Sequence, residues 1–128
     1  MLPSRYWPFA ACLLLTVAFG YAVTLTQGDP VCFSRPSVDV LFDSVARVVG
    51  RNAVAALMTG MGRDGANGLL AIRNAGGRTI TQDEATSVVY GMPMVARDLG
   101  ASEETLPLDA IPNRLLTMVP NPHLKARA

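Results

Sequence analysis

From Ser37 onward, apolar and polar positions alternate in blocks that change period. Val38, Leu41, Phe42, Val45, Val48 and Val49 fall three and four residues apart, which predicts an amphipathic helix. Ser37 stands before it as an N-cap, Asp39 lies in its first turn, and Gly50 closes it. Ala53 to Met58 is a continuous apolar run between Asn52 and a glycine-rich stretch, as expected for a strand buried on both faces. A helix from about Gly65 follows, with Leu69, Leu70 and Ile72 inward and Asn74, Gly76 and Gly77 at its end. Arg78 to Gln82 reads as the next strand. Pro93 opens a short helix that stops at Gly100, and Asp109 caps a last one carrying Ile111, Leu115, Leu116 and Met118. Strand, helix, strand in this order is a βαβ unit, so the fold class is α/β with a parallel sheet.

The N-terminal pattern admits two readings. Phe9 to Phe19 is almost wholly apolar, with Arg5 before it and the small residues Ala18, Gly20 and Ala22 about its end, the layout of an export signal or an anchor reaching to Leu25. The rival is a hairpin of strands Cys12–Leu15 and Tyr21–Thr26 turning at Gly20. The cysteines do not choose between them, since a Cys12–Cys32 bridge requires the run to be retained in an oxidising compartment. QGDPVCFSRP, from Gln27 to Pro36, is turn-rich and extended.

Composition narrows the function. Half of the residues are hydrophobic, 16% are charged, and the net charge is +1, which disfavours a disordered chain and a basic nucleic-acid binder. Chemistry is expected at the carboxyl end of the Ala53–Met58 strand, where open α/β sheets hold their ligands. Three readings of Thr59 to Gly68 stay open. Gly60, Gly62 and Gly65 fit a G-x-G-x-x-G dinucleotide fingerprint, with Asp83 about where a ribose-binding acid belongs. Asp64, at a strand end and a helix N-terminus, suits a carboxylate that orients a histidine. Alternatively Asp64 only caps its own helix and the glycines only permit the turn.

The stretch from Arg35 to Pro93, RPSVDVLFDSVARVVGRNAVAALMTGMGRDGANGLLAIRNAGGRTITQDEATSVVYGMP, resembles the catalytic domain of the CheB family, the chemotaxis protein-glutamate methylesterases. TGMGxDG and QDEA…VxGMP are its specific parts. The likeness continues more weakly to Val119 and back to about Leu13, where the apolar run then reads as sheet. It divides the chain into an unmatched segment 1–12, the C-terminal part of a methylesterase domain at 13–119, and a polar tail at 120–128.

The resemblance implies a partial parallel-sheet sandwich truncated at its N-terminal side. It also implies a cytoplasmic hydrolase that uses a Ser-His-Asp triad and no cofactor or metal to demethylate or deamidate the helices of methyl-accepting chemoreceptors. Asp64 matches the triad aspartate. Met61 matches a position at the rim whose backbone N–H is an oxyanion donor, with Gly60 and Gly62 letting that backbone approach the substrate. Tyr90 and Met92 are candidates to touch the receptor, and Asp83 and Glu84 to line the cleft. The family's G-x-S-x-G-G nucleophile loop and its histidine have no counterpart. None of Ser4, Ser34, Ser37, Ser44, Ser87 and Ser102 lies between glycines, and the only histidine, His123, is in the tail. Cys32-Phe33-Ser34 also replaces a usually polar, His-containing stretch. A lone chain is therefore expected to be inactive. It would either work with a separate chain carrying the receiver domain, serine and histidine, or act as a non-catalytic docking module.

Overall fold

The computed structural model describes residues 21–119 of the 128-residue chain. Helix α1, Val38–Val48, begins where Ser37 adopts an extended backbone and its side-chain oxygen accepts from the Val40 N–H. Strand β1, Val54–Leu57, leads through helix α2, Ala66–Asn74, to strand β2, Arg78–Gln82. Helix α3, Met92–Asp98, is opened by Pro93 and precedes strand β3, Glu104–Leu106. Helix α4, Ile111–Met118, completes the described fold.

The three strands are parallel in the order β1-β2-β3, with Val54 opposite Arg78, Leu57 opposite Thr81 and Ile80 opposite Glu104. Period-two alternation sorts β1 between the sheet's two faces. Ala53, Ala55 and Leu57 join Leu69, Ile72, Ala96 and Ala101 beneath α2 and α3, with Val38, Phe42 and Val45 of α1 packed outside them. On the other face Val54 and Ala56 meet Ile80, Ile111, Leu115 and Met118. Leu69, Ile72 and Ile80 are fully buried, each stabilising the fold by about 1.5–3 kcal/mol. Thr79 and Thr81, on the face opposite Ile80, are also buried. Their hydroxyls find Ala101 O at 2.7 Å, Ser102 Oγ at 2.9 Å and Thr105 Oγ1 at 3.1 Å.

Four expectations need correcting. Tyr21–Thr26 forms no strand; the segment is irregular and, beyond Tyr21, exposed, because alternation alone supplies no ladder partner, and the proposed partner Cys12–Leu15 is a separate matter, lying outside the described residues. Helix α4 is capped at Ala110, one residue beyond Asp109, without a side-chain bond. Leu116 is 58% exposed, since Ile111, Leu115 and Met118 already define the buried stripe. In α1, Val48 faces solvent while Asp39 is buried. Strand β3 carries no periodic signal in its three residues and exists through its pairing with β2.

Candidate active site at the carboxyl end of the sheet

Beyond Leu57 and Gln82, β1 and β2 separate and the chain re-pairs. Gly60 forms a parallel bridge with Tyr90: its N–H donates to Val89 O at 3.1 Å, and its carbonyl accepts from Gly91 N at 3.2 Å and also from Met92 N at 2.9 Å. The Thr59 hydroxyl donates to Val89 O and accepts from Val89 N. The TGMG and VxGMP motifs are thus two halves of one rim. Gly60 lies against Met92 so closely that a Cβ would collide with the Met92 sulfur. Gly65 has φ +92° and sits where a Cβ would lie 2.8 Å from both Leu57 and Val38, so the backbone and the packing both require glycine.

Asp64 is buried where this rim meets α1. Its Oδ1 accepts from Ser37 Oγ at 2.6 Å and from the Asp39 N–H at 3.0 Å, and its Oδ2 accepts from the Val38 N–H at 2.7 Å. The carboxylate therefore occupies the first two amides of α1, in register with the positive end of that helix dipole. It does not cap α2, the helix it precedes: the N-cap of α2 is Gly65, without a side-chain bond. Asp39 reaches across instead, its Oδ1 accepting from Gly68 N at 2.7 Å. The Cys32 thiol approaches Asp39 Oδ2 at 3.7 Å. Cys32, Asp39 and Asp64 hold possible metal-ligand atoms within 4.8 Å of one another. Asp64 is nevertheless satisfied by N–H and O–H donors and Asp39 by the Gly68 N–H and the Cys32 S–H, so the trio needs no cation to be stable.

The remaining expected site residues fall into distinct places. Met61 is 86% exposed at the tip of the loop, and among the described residues its N–H has no bonded acceptor. Gly62, at φ +92°, faces open space, so this stretch of backbone is open to a ligand, whereas Gly60 is covered by Met92. Met92 accordingly packs, partly buried, against the core under α3 and lies beneath the rim. Tyr90 is half-buried, with Arg97 Nη1 donating to its hydroxyl and the guanidinium 5.5 Å from its ring centre. Val88, which sequence reasoning missed, is 90% exposed beside it. No periodicity marks a loop valine.

Asp83 is half-buried and tied into a local turn. Its Oδ1 accepts from the Thr86 N–H and hydroxyl, closing the turn that leads out of β2. The start of α2, where a dinucleotide fingerprint would hold its phosphates, is engaged in the same way. A pyrophosphate at the start of α2 would meet the Gly68 amide already taken by Asp39, with the Asp64 carboxylate buried alongside. Glu84 is exposed. His123 and Cys12 lie outside the described residues.

A family model described as CheB methylesterase matches residues 9–115. The chain belongs to the CheB methylesterase family. A protein-glutamate methylesterase/protein-glutamine glutaminase of Cereibacter sphaeroides is 62% identical over 94 residues, 73% of this chain and 26% of that protein. One from Pseudomonas aeruginosa is 59% identical over 96 residues, covering 75% and 28%. The crystal structure of the Thermotoga maritima CheB methylesterase catalytic domain superposes with a TM-score of 0.69 at 35% identity, covering 71% of this chain and 48% of that one. The chain thus spans about a quarter of the curated relatives' length. The CheB match covers the whole of the apolar run, Phe9 to Phe19, that first suggested export. No helix among the described residues is long and apolar enough to cross a membrane.

Proposed function

We propose that this chain supplies the aspartate and oxyanion side of a protein-glutamate methylesterase site, acting in the cytoplasm on glutamyl methyl esters, and on glutamine amides, of chemoreceptor helices. The observation that carries this reading is the placement of Asp64. Three donors immobilise its carboxylate at the carboxyl end of β1, and Oδ2, which among the described residues accepts only the Val38 N–H, keeps a lone pair for an imidazole N–H.

The chemistry then runs as acyl transfer. A serine hydroxyl adds to the ester carbonyl as the histidine takes its proton, while Asp64 holds the imidazole tautomer and faces the imidazolium. The developing oxyanion is received by the Met61 N–H. The histidine returns the proton to the departing methoxide, giving methanol, and water then hydrolyses the acyl-enzyme. The serine and histidine are supplied by residues outside this sequence, and the chain alone is inactive. Missing triad members cost on the order of 10⁴-fold or more.

A second reading, a non-catalytic receptor-docking module, draws on the exposed Met61, Val88 and Val89 at the rim. Methanol release from a methylated chemoreceptor separates the two. The chain alone gives background release. A polypeptide carrying the G-x-S-x-G-G loop and the histidine raises it, and Asp64→Ala in this chain removes the gain. No gain on complementation favours the docking module, and release by the chain alone that Asp64→Asn abolishes overturns the claim of inactivity.

A further inference from the structure

Gln82 ends β2 and is 1% exposed, a long amide enclosed at the point where β1 and β2 part. The β1–β2 ladder stops at Leu57 opposite Thr81, so the next amide of β1 that needs a partner cannot find one on the β2 backbone. Gln82 provides it from its side chain: Oε1 accepts from Thr59 N at 2.8 Å. Its Nε2 donates to Thr86 O at 2.8 Å and Thr86 Oγ1 at 3.2 Å. Thr59 in turn binds Val89 through its hydroxyl, and Thr86 Oγ1 accepts from Leu108 N.

One amide therefore joins the loop that carries Gly60, Met61 and Asp64 to the loop that carries Val88 and Tyr90. Its acceptor faces the first and both its donors face the second. An apolar side chain of the same length would leave Thr59 N and Thr86 O without partners, and a carboxylate would set an oxygen against the Thr86 carbonyl.

We propose that Gln82 is a positioning residue for the Met61 N–H: by clamping Thr59 to Thr86 it fixes where β1 turns away from the sheet, and hence where the oxyanion donor points. The functional part of this inference rests on the methylesterase reading, whereas the clamp itself does not.

Two readouts keep them apart. In the full chain alone, Gln82→Met is expected to leave the circular dichroism and the amide protection of Val54–Leu57 intact while amides 59–62 exchange at least about tenfold faster. Gln82→Glu keeps the acceptor and loses the donors. Its loop protection, corrected for intrinsic exchange, is expected to be low at neutral pH and to recover as acid returns a proton to the carboxyl. In the complemented enzyme, Gln82→Met is expected to lower kcat about tenfold, with KM within twofold, a fraction of the loss typical of deleting an oxyanion donor. Unchanged loop exchange in both variants overturns the clamp, and a loss confined to KM overturns its role toward the oxyanion donor. A complemented wild-type chain that releases no methanol overturns the methylesterase reading, and the exchange data still decide the clamp.

Discussion

Asp39 and Asp64 exchange helices. Asp39, in the first turn of α1, accepts from the third amide of α2, while Asp64, just before α2, accepts from the first two amides of α1. The two helix starts are thereby locked together by two carboxylates, each lying at the other helix's positive end. The residue that the family resemblance assigns to catalysis is also part of the α1–α2 joint.

Asp64→Ala is expected to cost about 2–3 kcal/mol, because it strands two helix amides and the Ser37 hydroxyl, and Asp39→Ala about 1–2 kcal/mol. The double variant is expected to be less destabilised than the sum, with a coupling of about 1 kcal/mol, since either loss loosens the same joint. Urea unfolding of the four proteins measures this. Strict additivity would show that the two caps act independently.

Gly68 is a point of close approach between α2 and α1. A Cβ there would lie 2.5 Å from Phe42 Cβ and 3.1 Å from the Asp39 backbone. Gly68→Ala is expected to destabilise by about 1–3 kcal/mol through overpacking, despite alanine's better helix propensity. A thermal melt of Gly68→Ala beside the exposed control Asn67→Ala isolates the packing effect.

The Arg114 guanidinium, bonded to Glu104 at 2.9 Å, holds that carboxyl below the ordinary glutamate range against a smaller opposing effect of desolvation. A carboxylate lowered in the fold stabilises it above the unfolded value, and the contribution is lost as pH falls through the folded value. The difference in Tm between the wild type and Glu104→Gln is therefore expected to be open at neutral pH and to close in acid. A difference that stays constant would assign Glu104 a purely steric role.

NADH is expected to show no fluorescence change on titration with the chain. One amide at the start of α2, Gly68 N, is bonded to Asp39, and Asp83 Oδ1 is bonded to Thr86. Saturable binding would restore the fingerprint reading of Gly60, Gly62 and Gly65.

What the sequence determined by itself was the order and type of the main elements. Ser37 as a cap, the buried run after Asn52, the strand Arg78–Gln82 and the proline that opens α3 were all legible, because each depends on side chains within a turn or a pleat of one another. Asp64 stood out as a candidate from its place after a buried strand and within a family motif. Its partners were not: the Asp64–Val38 bond spans 26 residues, and nothing local says that the carboxylate turns away from its own helix. The exposure of Val88, the burial of Met92, the pairing of β3 and the fork held by Gln82 were likewise decided by tertiary structure. Each depends on which distant backbone arrives alongside, and periodicity along the chain carries no record of that.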